Sequence, residues 1–316
     1  MLSILNTTFP FFALVLAGYI AARRGFLPST AVPALNSFVL YFALPCMLYR
    51  FGATTPIGQL LDVSVFSVWL LCALAMVGFT VAVTRSERIN WNDASFGALV
   101  AAFPNTGFMG LPLLLTFLGA AAAGPVIVTI AVDMVITSSL CIALSRLDGA
   151  GIGGARQALK NAARSMAANP MPWAIVLGVL ASAMGFGLPG PIDRAIELLA
   201  NAASPVALFT IGAVLARAPA GGVLPASEYV PVALFKLILH PLLVLLAGGA
   251  AIRLGMPLDP LAYTTLVLTA ALPSASNVSL LTERFAADTG RVARIIMVST
   301  VLSFLTFAAA VKLLVK

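Results

Sequence analysis

Charge is scarce in this sequence. Its 316 residues include 18 Lys or Arg, 11 Asp or Glu and a single His. Charged residues make up 9% of the chain, against about a quarter in an average soluble domain. So few charges cannot coat a water-exposed surface of this size, which excludes a water-soluble globular enzyme. Disorder requires low hydrophobicity and high charge, and is excluded as well. The net charge of +7 would suggest phosphate partners in a soluble protein. Here the basic residues lie between long apolar runs, so nucleic acid is not the partner. Cysteine is equally sparse. Cys46, Cys72 and Cys141 sit in apolar stretches without CxxC spacing, and read as small core residues rather than a disulfide framework or a metal site. The first eight residues carry no Lys or Arg. A secretory signal begins with a basic segment, so the first apolar run is expected to be an uncleaved span.

What is abundant is apolar surface. Hydrophobic residues reach 61% and the mean hydropathy is +1.05. A bilayer-spanning helix needs roughly 20 mostly apolar residues. That window predicts ten spans, near 4–22, 31–51, 62–83, 93–118, 124–145, 170–187, 193–215, 229–251, 260–281 and 291–314. The fold class expected is an all-α polytopic membrane protein, integral to the cytoplasmic (inner) membrane and in contact with its lipid.

The positive-inside rule orients these spans. With both termini on the non-cytoplasmic side, the cytoplasmic loops hold twelve basic residues, among them Arg23, Arg24, Arg85, Arg88, Arg146, Arg284, Arg291 and Arg294. The opposite side holds five: Arg50, Arg194, Arg253, Lys312 and Lys316. In the loop after the fifth span, Arg156, Lys160 and Arg164 recur every four residues. They stripe one face of a short helix that either lies on anionic headgroups or is a solvated linker. Gly149, Gly151 and Gly153 before it have nucleotide-loop spacing, but no strand precedes them, so a flexible linker is expected.

The two halves resemble each other. Gly25-Phe26-Leu27-Pro28 follows the first span, and Gly185-Phe186-Gly187-Leu188-Pro189 follows the sixth. Pro45 lies inside the second span and Pro205 inside the seventh. Pro104 and Pro273 interrupt the fourth and ninth. Five spans per half is an odd number, so the second half must be inverted relative to the first, an arrangement typical of alternating-access carriers. The predicted organisation is a first repeat over 1–148, a cytoplasmic linker over 149–169 and a second repeat over 170–316.

The interrupted spans supply the candidate site. A proline inside a helix removes one donor and clashes with the preceding turn. In lipid, the freed backbone must find a partner or line a cavity. Asn105 and Thr106 stand beside the first break, and Ser274, Ser276 and Asn277 beside the second. These five are the candidate substrate-binding residues. Pro104, Gly107 and Pro273 form the crossover. Ionisable residues at mid-span are rare and costly. Asp133 lies midway along the fifth span, and Lys236 and His240 lie one turn apart on the eighth. Asp133 and Lys236 form either a structural pair or a transport element: a proton carrier in the first case of the latter, a positive charge for an anionic substrate in the second. No His, Cys and carboxylate cluster suggests a metal.

The Pro104-Asn105 break followed by Gly110-Leu111-Pro112, the Pro273 break, and Ser204-Pro205-Val206-Ala207-Leu208-Phe209 with Gly212 resemble the auxin efflux carrier family, in particular its bacterial organic-acid carriers. The resemblance covers nearly the whole chain. It implies ten helices in two inverted five-helix repeats, with broken helices 4 and 9 crossing at their prolines. It also implies a scaffold from helices 1, 2, 6 and 7, a transport domain from helices 3–5 and 8–10, substrate near Asn105 and Asn277, and a homodimer. The expected function is secondary transport of a small organic anion, a mono- or dicarboxylate such as malonate, by an elevator-type movement, with no cofactor and coupling to H+. The related bile-acid/sodium symporters share the crossover, but would bring more carboxylates to it, which disfavours Na+. An intramembrane enzyme is a poor match, since it needs paired aspartates, a Ser–His pair or zinc ligands. A channel would conduct without substrate saturation.

Overall fold

The computed structural model describes residues 2–54, 62–147, 170–216 and 224–315. The stripe at Arg156, Lys160 and Arg164 and the glycines at 149–153 lie outside the described residues. Every regular element among the described residues is a helix: α1 Leu2–Arg23, α2 Ala31–Thr54, α3 Val63–Thr84, α4 Trp91–Ala102, α5 Thr106–Leu118, α6 Ala120–Leu144, α7 Pro170–Ala183, α8 Gly190–Leu215, α9 Val230–Arg253, α10 Pro260–Ala270, α11 Val278–Phe285 and α12 Thr289–Leu314. By length and composition, six of these can cross a membrane: α2, α3, α6, α8, α9 and α12. The remaining expected spans are occupied by shorter apolar helices. The two predicted interruptions are real breaks in the chain, at 103–105 and at 271–277.

The helices group into two compact units. The first contains residues 1–62, 107–127 and 168–218, and the second 63–106, 128–167 and 219–316.

The first unit is assembled through glycine. A Cβ on Gly18 of α1 would overlap the backbone carbonyl of Phe209 on α8, and one on Gly212 would overlap the carbonyl of Val15. Likewise, Gly52 of α2 lies against the backbone of Ile175 and Val179 on α7, and Gly178 against that of Tyr49 and Ala53. Helix pairs inside a membrane gain nothing from expelling water, so close backbone approach is what holds them. Gly18 and Gly178 are 160 residues apart, and so are Gly52 and Gly212. The same spacing relates Gly25 and Gly185, which end α1 and α7 with positive φ angles of 77° and 61°. Each turn is closed by a backbone bond, Leu27 N–H to Ala21 O at 3.1 Å and Phe186 N–H to Ala181 O at 2.8 Å. At one end of the unit Arg50 pairs with Asp193 at 2.9 Å and approaches Glu197 at 4.0 Å. Arg50 thereby ties α2 to α8.

The second unit packs α3, α4, α9 and α12 around Phe96, Leu99, Val100, Val232, Val292 and Ile295. A second apolar cluster joins α3, α6, α9 and α10 through Trp69, Val132, Val244 and Leu266. Its helix starts are set by side chains that satisfy orphan N–H groups. Asn90 caps α4 through Asp93 N–H at 2.8 Å, Asp259 caps α10, and Asp288 caps α12 through Arg291 N–H at 2.8 Å. Arg291 was expected in a cytoplasmic loop. It is instead buried, and donates to the carbonyls of Glu228 (2.9 Å) and Asp93 (2.8 Å). Gly97 makes room for it: a Cβ there would meet the guanidinium at 2.8 Å. A long cation can be buried at a helix start when backbone carbonyls turn toward it, and sequence position alone does not reveal those carbonyls.

Candidate functional site: a crossing of two interrupted helices

The break after α4 follows from its proline. Phe103 leaves the helix with φ −91° and ψ 105°, the extended geometry imposed on a residue before proline. Pro104 has no N–H, so the carbonyl of Val100, four residues earlier, loses its helical partner. The hydroxyl of Ser274 supplies the replacement, donating to Val100 O at 2.7 Å. The second break answers the first. Pro104 and Ser274 form an antiparallel bridge, with Asn105 N–H donating to Pro273 O at 2.8 Å and Ala275 N–H donating to Phe103 O at 3.0 Å. Exchanging the two strands maps one bond onto the other, so the bridge has a local two-fold pattern. Ser299 of α12 completes it by accepting from Ser274 N–H at 3.2 Å.

The sequence-predicted residues are distributed as follows. Asn105, Thr106 and Ser274 are buried, and Ser276 and Asn277 are half-buried. Thr106 is occupied: its N–H and hydroxyl both donate to Pro104 O, at 2.7 and 3.4 Å. Ser274 is occupied by Val100. Among the described residues, the side-chain amides of Asn105 and Asn277 have no hydrogen-bond partner. Gly107 follows in a wide turn that opens α5, with free space where a Cβ would stand. What the crossing offers chemically is a pair of amides able to donate or accept beside fixed, extended backbone.

The three ionisable candidates lie in one buried polar cluster of the same unit. Asp133 Oδ1 accepts from Trp69 Nε1 of α3 at 3.1 Å and from Thr137 Oγ1 at 3.1 Å. Its Oδ2 has no partner. Lys236 Nζ donates to the carbonyl of Ala270 at 2.7 Å and lies 2.9 Å from His240 Nδ1. A protonated Lys236 can only donate in this contact, which casts His240 Nδ1 as the acceptor. The Trp69 and His240 rings are 5.3 Å apart between centroids, which places the indole between the acid and the base. Asp133 and Lys236 make no direct ion pair among those of the described residues. Both begin or lie in wide π-type turns, Asp133–Thr137 and Phe235–Leu239, a distortion frequent at functional sites. Trp69, Thr137 and Ser299 were not anticipated. The signal for Trp69 is its indole N–H, which needs a partner once buried. Among the described residues, no three His, Cys, Asp or Glu side chains gather into a metal-binding group.

Known proteins match this chain along nearly its whole length. The profile of a family described as "Membrane transport protein" matches residues 3–152 and 154–310. A Rhizobium meliloti protein named "Putative malonate transporter" is 32% identical over 312 residues, covering 97% of this chain and 94% of its own length. The "Uncharacterized transporter YfdV" of Escherichia coli is 28% identical over 281 residues, covering 87% and 86%. An "Uncharacterized transporter" of Methanothermobacter thermautotrophicus is 26% identical over 306 residues, covering 95% of each. These relatives are transporters and not enzymes. With apolar helices of spanning length and a family match from end to end, the chain belongs to the membrane transport protein family, that of the auxin efflux carriers, and is a multi-pass integral membrane protein.

Proposed function

We propose that this protein is a secondary active carrier of a small organic anion, a mono- or dicarboxylate such as malonate, working by alternating access of the elevator type. The observation that carries this reading is the crossing itself, where Asn105 and Asn277 present amides without a hydrogen-bond partner among the described residues, next to two interrupted helices. Amides can donate to a carboxylate, and half-helix ends at mid-membrane are where such carriers bind their ligands. The relative named for malonate supports the choice of a small carboxylate.

The recurring 160-residue spacing of Gly18 with Gly178, Gly52 with Gly212 and Gly25 with Gly185 supports two inverted repeats of five helices, 1–148 and 170–316, about the linker 149–169. On this reading α1, α2, α7 and α8 serve as the scaffold, through which two copies pair, and α3–α6 with α9–α12 serve as the transport domain. The distribution of Lys and Arg supports insertion in the inner membrane with both termini on the non-cytoplasmic side. A proton is the proposed coupling ion and Asp133 its carrier, supported by the burial of that carboxylate and by its unpartnered Oδ2.

The test is uptake into proteoliposomes of labelled malonate, malate, succinate, pyruvate and indole-3-acetate under an imposed pH gradient. Saturable uptake of one acid, weakened at least tenfold in affinity by Asn105→Ala, is the expected result. No uptake of any acid under either sign of the gradient would overturn the anion assignment. Uptake by Asp133→Asn with the pH dependence of the unsubstituted protein would remove the proton assignment.

A further inference from the structure

Lys236 touches the crossing through the backbone. α10 ends at Ala270, three residues before Pro273, or roughly 5 Å along a helix axis. Ala270 O would ordinarily accept from Ser274 N–H, but that donor turns to Ser299. The carbonyl is left at the negative end of a half-helix, and Lys236 Nζ takes it at 2.7 Å. On its other side, the same ammonium is linked through His240 and the Trp69 ring to Asp133. The titratable groups that interact with Lys236 are His240 on its own helix and Asp133 on α6.

We infer that Lys236 is a positioning residue that joins the two sites: it holds the end of the α10 half-helix and converts the protonation of Asp133 into a change of anion affinity at Asn105 and Asn277. This inference rests on the organic-anion reading above. Its sign follows from charge. With Asp133 ionised, carboxylate and ammonium cancel. Asp133 Oδ1 is engaged by Trp69 and Thr137, so the proton goes to Oδ2. Once it binds, the cation of Lys236 is uncompensated, at the C-terminus of a helix that leads directly into the crossing. An anion there is held more tightly. By reciprocity a bound anion favours the proton, so the two travel together.

The experiment measures KM and maximal rate for the transported acid on the acid and alkaline sides of neutrality, in proteoliposomes of the full chain. The unsubstituted protein is expected to show a KM about tenfold lower on the acid side. Asp133→Asn imitates the protonated acid, and should show the low KM at both pH values. That gain of affinity on the alkaline side cannot arise from misfolding. Lys236→Met should show a high KM at both, and Lys236→Arg, which keeps a cation, should retain the pH dependence. A Lys236→Met carrier whose KM still follows pH, or an Asp133→Asn carrier with the high alkaline KM, overturns this inference and leaves the anion reading intact. No saturable uptake by the unsubstituted protein overturns both.

Discussion

The unit containing α1, α2, α5, α7 and α8 and the unit containing α3, α4, most of α6 and α9–α12 are both helical and apolar, yet they bury different groups. Among the described residues, Thr210 is the one buried polar side chain of the first unit. The second buries Asp133, Lys236, His240, Arg291, Asn105 and a series of Ser and Thr hydroxyls. The first is held by backbones in direct contact at Gly18, Gly52, Gly178 and Gly212. The second is held by hydrogen bonds that each satisfy an otherwise orphaned group. Dry polar groups are costly, so their segregation into one unit supports placing the proposed site there.

The sharpest way to break this comparison is to give the glycine unit a side chain. Gly212→Leu places carbon atoms inside the backbone of α1 and should cost about 3 kcal/mol or more. Loss of the folded protein from a detergent gel-filtration profile is expected, and a variant that elutes and melts normally would mean that the α1–α8 contact is looser than described. In the second unit the corresponding stress is polar. Ser274→Ala removes the donor to Val100 O and should lower stability by about 1–3 kcal/mol, read as a fall in melting temperature. Ser274→Thr, which keeps the hydroxyl, should lose less. The smallest effect belongs to the exposed pair in the first unit. Arg50→Ala should cost roughly 0.2–1 kcal/mol, and less still in high salt. A loss as large as that of Gly212→Leu would show that this unit also depends on charge.

The sequence made the helical class legible because a run of apolar residues has few alternatives in a bilayer. It made the breaks legible because Pro104 and Pro273 remove donors wherever they stand. It was silent on pairings that depend on approach from distant segments. Nothing local to Ser274 announces that its hydroxyl replaces the missing donor of Pro104, some 170 residues away. Ser274 and Asn277 look alike as small polar residues beside a proline, yet one is engaged by backbone and the other is unpartnered. The burial of Arg291 was hidden for the same reason, since its partners are carbonyls, which every residue possesses. The glycine contacts were hidden differently. Gly18 and Gly212 can be seen in the sequence, but a glycine in an apolar helix does not say which backbone it will meet.

The bridge between Pro104 and Ser274 has one more consequence. Its backbone pattern is the same when viewed from either strand, so the peptide groups cannot tell the two faces of the crossing apart. Any difference between the two strands must come from side chains, and there the pattern fails. The local two-fold relates Asn105 to Ala275. A locally two-fold backbone thus carries an unequal lining, in which the Asn105 amide has no counterpart across the axis.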